Sequence, residues 1–298
     1  MPSPARLAAV FISAAIFLSG CASFDKLTQS QSKMAQTPIT DKPSGKAIPG
    51  KFIWHDLLTP EPKKAGAFYE ALFGWQIDYQ EHYAVVRNGD KLIAGIVKPN
   101  TTNEAARNGL WIPTASVADV DAAVRRVTAN GGTVLKGPLN MGDRGRAVMI
   151  SDPQRADMLL LSAKGGDPAD GKAAIGDWLW DEIWSKDPDS VEAFYAAVLG
   201  YDQVMSTDDY TVFLSEGEWR AGIRRVKSHV KHLLWVPVVR VADSVATAKR
   251  TKELGGTVLV APGEVPGNAD IALIADPTGA FLLIQRWPAP VTKDGASL

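Results

Sequence analysis

The chain has 298 residues, 46% of them hydrophobic and 22% charged, with a formal net charge of -1 at neutral pH. That composition is globular, and its near-zero charge supplies no broad positive field for nucleic acid or anionic lipid. The single cysteine, Cys21, excludes an internal disulfide framework, so stability must come from ordinary hydrophobic cores.

Residues 1–21 hold Arg6, an apolar run from Leu7 to Leu18, and the sequence Leu18-Ser19-Gly20-Cys21. The run is too short to span a hydrocarbon core of ~30 Å, which takes about 20 residues. The pattern resembles a bacterial lipoprotein signal. That resemblance implies cleavage before Cys21, acylation of its thiol, and a lipid bilayer as the chain's first partner, in the bacterial cell envelope. Ala22 stands where an aspartate resembles an inner-membrane retention signal, so in a didermal host the expected place is the outer membrane, facing the periplasm. Residues 22–50 are rich in Ser, Thr, Gln, Lys and Pro and read as a flexible tether without chemistry of its own.

After the tether the sequence repeats itself. Trp54-His55-Asp56-Leu57-Leu58 returns as Trp180-Asp181-Glu182-Ile183-Trp184, and Ala67-Phe68-Tyr69 as Ala193-Phe194-Tyr195. Leu110-Trp111-Ile112-Pro113 returns as Leu234-Trp235-Val236-Pro237, Gly131-Gly132-Thr133 as Gly255-Gly256-Thr257, and Asp152-Pro153 as Asp276-Pro277. Two homologous domains follow, at 51–164 and 176–288, with a linker at 165–175 and a tail at 289–298. In the first domain Ala65, Phe68, Tyr69, Leu72 and Phe73 recur at helical spacing, with Thr59 as the predicted cap, Pro60 in the first turn and Gly74 as terminator. The matching helix of the second domain buries Val191, Phe194, Tyr195, Val198 and Leu199 before Gly200. Asp119 and Asp243 are predicted to cap the second helix of each domain. Strands are predicted at 83–87, 91–97, 110–117, 147–150 and 158–162, and the Asp-Pro pairs make turns between the last strands.

These elements, carried by the Trp54-His55 strand, Ala67-Phe68-Tyr69, Leu72-Phe73-Gly74-Trp75 and the two Asp-Pro turns, resemble the vicinal oxygen chelate superfamily of glyoxalases, bleomycin-resistance proteins and extradiol dioxygenases. The resemblance implies an α+β fold of tandem domains, each built from two βαβββ modules whose sheet curls around a cleft. It implies fold more firmly than reaction, because one scaffold hosts many chemistries.

Enzymes of the superfamily hold a divalent metal with His, Glu or Gln from paired modules. His55 resembles their first-strand ligand. The corresponding partner-strand position is Ile112 and the terminal-strand position is Leu159, while the second domain offers Asp181, Val236 and Leu283. A catalytic metal needs about three protein ligands, so the expectation is no metal cofactor, with His55 the only candidate donor. Strand alternation predicts that Ile53, His55 and Leu57 share one face, that Ile112, Thr114 and Ser116 face the first cleft, and that Val236, Val238 and Arg240 face the second. Ligand-contact candidates are therefore His55, Thr114, Ser116, Asp181 and Arg240, with Asp181 and Arg240 alternatively forming an internal ion pair. Trp54 and Trp180 are expected beside the helices, and Trp184 and Trp219 in a pocket or interface. The basic run Arg224 to His232 reads as a solvated loop.

The expected function is binding of a small, partly aromatic or apolar molecule in metal-free clefts of a membrane-anchored protein. The alternatives are a metal-dependent lyase or dioxygenase using His55, and an envelope interaction scaffold that presents Trp184 or Trp219 to a protein partner.

Overall fold

The computed structural model describes residues 37–80, 83–99, 108–227, 233–264 and 270–287. The leader, Cys21, the tail at 289–298 and the histidines His229 and His232 lie outside the described residues.

Each repeat folds into an eight-stranded sheet. In the first, β1 (Phe52–Leu58), β2 (Gln76–Tyr79), β3 (Tyr83–Asn88), β4 (Lys91–Val97), β5 (Leu110–Ser116), β6 (Thr133–Asn140), β7 (Gly145–Ser151) and β8 (Asp157–Ala163) stand in the order β2-β3-β4-β1-β5-β8-β7-β6. In the second, β9 (Trp178–Ser185), β10 (Gln203–Ser206), β11 (Tyr210–Ser215), β12 (Glu218–Arg225), β13 (Trp235–Val241), β14 (Thr257–Val260), β15 (Ile271–Ala275) and β16 (Phe281–Arg286) repeat that order. Within each sheet, two four-stranded modules join through one antiparallel pair, β1 with β5 and β9 with β13.

Among the described residues four helices cover one face of the sheets: α1 (Pro62–Phe73), α2 (Val120–Ala129), α3 (Pro188–Leu199) and α4 (Ser244–Glu253). The helix α1 begins later than its predicted cap, with Glu61 at the boundary and Pro62 in the first turn. A residue that precedes proline is pushed out of the helical region, so Pro62 fixes the start. Thr59 instead accepts the backbone N–H of Glu61. Gly74 ends α1 and Gly200 ends α3, both left-handed, while Asp119 and Asp243 cap α2 and α4 as expected.

The helices bury their apolar faces across the repeat boundary. Helix α2 packs on α3 and α1 on α4. One core joins Val127, Ile150 and Met158 to Phe194, Tyr195 and Trp235, and another joins Phe68, Tyr69 and Trp111 to Val241, Ile274 and Leu282. A buried aromatic or aliphatic side chain contributes about 1.5–3 kcal/mol, so these shared cores make each repeat's stability depend on the other. Symmetric polar latches cross the same boundary. Tyr195 donates to Asp152 at 3.1 Å, and the Tyr69 hydroxyl faces Asp276. The Asp-Pro turns thus carry an interdomain role beyond their geometry.

The stretch read as a flexible tether is part of the folded body from Thr37 onward. Ser44 and Gly45 donate backbone N–H groups to Asp167 and Gly165, and Ile39 is buried. The linker is equally fixed, with Asp167 buried and Asp170 paired with Lys51 and Arg220. These polar segments are ordered through backbone hydrogen bonds and buried carboxylates, which composition alone does not reveal.

Candidate ligand clefts

A one-residue bulge decides what enters each cleft. Phe52 pairs with Ala115 and Trp54 with Thr114, leaving Ile53 as an extra residue in β1. The second repeat has the same irregularity, with Trp178 and Trp180 opposite Val239 and Val238 and Leu179 between them. An extra residue reverses which side chains point inward beyond it. Trp54, Asp56 and Leu58 therefore line the first cleft, and Trp180, Glu182 and Trp184 the second, while Leu57 and Ile183 join the helical cores.

This overturns the placement of His55 in a cleft. Its Nε2 lies 2.8 Å from Asp181 Oδ1, both side chains 1% exposed, with the Trp178 ring 4.1 Å from the imidazole. The equivalent positions of the two repeats thus meet each other at the domain boundary. Asp181 consequently does not pair with Arg240, whose guanidinium donates to the carbonyls of Ala173 and Trp287. Trp54 and Trp180 are likewise corrected, since they face the clefts and not the helices.

Ile112, Thr114 and Ser116 share the first-cleft face of β5, as alternation predicts. Ser116 is engaged structurally, donating to Asp167 at 2.5 Å. Thr114 is buried, and its Oγ1 has no hydrogen-bond partner.

Each cleft centres on an acid, a tyrosine and an arginine. In the first, Asp56 Oδ1 accepts from Trp54 Nε1 at 3.0 Å and Tyr83 at 2.8 Å. Arg144 donates to Tyr83 at 2.8 Å, approaches Asp56 at 3.4 Å, and lies 4.7 Å from the Trp54 ring centroid. In the second, Arg224 grips Glu182 through two 2.7 Å bonds, and Tyr210 donates to Glu182 at 2.9 Å. Burial pushes both tyrosine hydroxyls well above their usual pKa and keeps them as proton donors. Gly95 and Gly222 make room for these bonds, since a Cβ there would meet Tyr83 Oη at 1.8 Å or Tyr210 Oη at 2.0 Å.

The repeat carried a signal for these acids: Asp56 and Glu182 are equivalent, as are Tyr83 and Tyr210. Arg224 belongs to β12, which corrects its reading as a loop residue. Arg144, in the β6–β7 turn, is far in sequence from Thr37, Asp56 and Tyr83, which its side chain bonds.

Aromatic side chains give the second cleft its character. Trp180 lies 5.9 Å from Trp219 and 5.4 Å from Trp287, and Trp184 stands 6.2 Å from Phe281 with 29° between the ring planes. The buried indole nitrogens of Trp180 and Trp184 and the buried Oε1 of Gln285 have no hydrogen-bond partner. Trp219 is 47% exposed.

The donors do not fit a divalent metal. Among the described residues each cleft face offers one carboxylate, already bonded to arginine and tyrosine, beside Ile112 and Leu159 in the first cleft and Val236 and Leu283 in the second. Among the described residues no group of three His, Cys, Asp or Glu side chains is placed to hold an ion.

The family model described as Glyoxalase/Bleomycin resistance protein/Dioxygenase superfamily matches residues 51–157, and that described as Glyoxalase-like domain matches 180–283. The chain belongs to this superfamily. As a tandem glyoxalase-like protein it is similar to CFP32 of Mycobacterium tuberculosis, provisionally named a glyoxylase, with 29% identity covering 80% of this chain and 94% of that one. It is also similar to the anthracycline biosynthesis protein DauV of Streptomyces sp., with 26% identity covering 84% and 98%. In fold it resembles the Mn(II)-bound glyoxalase of Novosphingobium aromaticivorans, with a TM-score of 0.57 and 14% identity, covering 85% and 84% of the two chains. A 2,2',3-trihydroxybiphenyl 1,2-dioxygenase of Sphingomonas wittichii gives a TM-score of 0.55 at 13% identity, covering 85% and 92%.

Proposed function

We propose that this glyoxalase-like chain is a lipid-anchored binding protein that takes a small, partly aromatic molecule into its second cleft without a metal. The observation that carries the reading is the second cleft's lining, where partly exposed Trp180 and Trp184 present buried, unpartnered indole N–H groups. Flat aromatic faces beside unpartnered donors suit a ring system bearing acceptor oxygens. The similarity to a protein named for anthracycline biosynthesis supports an aromatic occupant. Glu182 is neutralised by Arg224, so a cation-seeking cage is the poorer description.

The test uses soluble chain beginning after Cys21, purified without chelator, offered manganese, zinc, nickel or iron(II), and screened by thermal shift against aromatic carbonyl compounds. The expected result is no retained metal and a ligand shift lost in Trp184→Ala. Near-stoichiometric metal that disappears in Glu182→Gln would sink the metal-free reading and send the work to lyase and dioxygenase assays. Anchoring is checked separately: the protein should fractionate with membranes and leave them in Cys21→Ser. The exposure of Trp219 favours one other reading, a protein-binding surface. Partner capture from membranes lost in Trp219→Ala, with ligand shifts intact, would support it.

A further inference from the structure

We infer that the first cleft is a second binding site, for an apolar compound carrying a carbonyl or carboxylate oxygen, and that the chain's own segment from Thr37 to Asp41 holds it closed. Ile39 is 2% exposed and packs among Trp54, Tyr83, Val85, Val97 and Leu161 on the cleft side of the sheet. Two residues earlier, the Thr37 carbonyl accepts from Arg144 Nε at 3.3 Å. The strap therefore inserts one branched apolar group and one carbonyl oxygen, and these are the features an external ligand must reproduce.

Two further observations point the same way. The Arg144 guanidinium is fully buried, yet among the described residues its one bond shorter than 3 Å goes to Tyr83, its contacts with Asp56 and Thr37 being 3.4 and 3.3 Å. A second oxygen on the guanidinium is better chemistry than those long contacts supply. On the same cleft face, opposite Trp54, the buried Thr114 hydroxyl has no partner.

The strap's charged side chains hold it less firmly than the backbone bonds behind it. Besides Ile39 and the Thr37 carbonyl on Arg144, its fastenings include the ion pairs Asp41–Arg87 and Lys42–Asp90, all four side chains substantially exposed. Such pairs stabilise little. From Ser44 onward the backbone is bonded to the linker, Ser44 and Gly45 donating to Asp167 and Gly165, so movement of the strap is confined to the residues before Ser44. The inference extends the reading of the second cleft to the first, because both contain the acid–tyrosine–arginine group.

The test counts sites for the probe 8-anilinonaphthalene-1-sulfonate, an apolar ring system with an anionic oxygen group, on mature chain from position 21 carrying Cys21→Ser. Wild-type strap should give one site, lost in Trp184→Ala. Ile39→Asp should give two, returning to one when Arg144→Gln is added. An unchanged site count in folded Ile39→Asp overturns the strap inference. Absence of any wild-type site counts instead against the second-cleft reading. If Ile39→Asp loses its cooperative melt, hydrogen exchange on the wild-type strap decides. Amides of residues 39–42 should exchange at least ten times faster than those of β1, and equal protection overturns the inference.

Discussion

The two clefts contain the same three kinds of group, assembled by different routes. Asp56 and Tyr83 have equivalents in Glu182 and Tyr210, but the arginines are unrelated: Arg224 stands in β12, two residues beyond Gly222, whereas the corresponding residue beyond Gly95 is Val97. The first cleft recruits Arg144 from a turn and becomes almost wholly buried, with Trp54, Tyr83 and Arg144 at most 2% exposed. Arg224 keeps a quarter of its side chain exposed, and its neighbours Trp180 and Trp184 remain half-buried. Each cleft carboxylate takes an arginine, and the one supplied from within the sheet stays partly open to water while the one supplied from the turn is buried.

The comparison predicts unequal costs for equivalent substitutions. Asp56→Ala strands the Arg144 guanidinium in a fully buried position, and removing one partner of such a pair costs about 3–5 kcal/mol. Glu182→Ala leaves Arg224 able to reach water and should cost about 1–3 kcal/mol, within the range for losing a charged hydrogen bond. Denaturant unfolding checks both, and equal losses would erase the proposed distinction. A smaller effect is expected from Gly95→Ala and Gly222→Ala, where the new methyl displaces the tyrosine hydroxyl at about 1–3 kcal/mol of overpacking. Gly95→Ala should be the worse of the two, because its Cβ also meets Asp56 Oδ1 at 2.4 Å. Their order in unfolding midpoint is the readout.

The repeat, the helices and the inward face of β5 were legible in the sequence because they rest on periodicity and capping, which are local. His55 was misplaced because the alternation rule has no means of seeing the bulge at Ile53, and one extra residue exchanges the two faces of everything that follows. Arg144 was invisible for another reason: it lies 88 residues from Asp56 and 107 from Thr37, so no spacing links them. Asp56 is legible in the sequence, since an acid recurs at Glu182 and a tyrosine at Tyr83 and Tyr210. Ile39 was lost in a polar stretch whose composition resembles a linker.

The smallest effect belongs to the boundary that both clefts share. Burial raises the Asp152 carboxyl to about 6, against backbone hydrogen bonds from Ala156 and Gln154 and the Tyr195 hydroxyl that pull it down; burial also raises Asp276 in the opposite latch. A carboxyl that binds its proton more tightly when folded stabilises the protein most below the unfolded value near 3.9, and that contribution is lost as pH rises through about 6. Asp152→Asn keeps an oxygen for the backbone donors at Gln154 and Ala156 but does not titrate. Its stability should therefore fall less than wild type's between pH 4 and pH 6, the difference amounting to roughly 1–2 kcal/mol once solvent screening is allowed for. Parallel pH profiles for wild type and Asp152→Asn would mean that the carboxylate is as well accommodated in the boundary as in water.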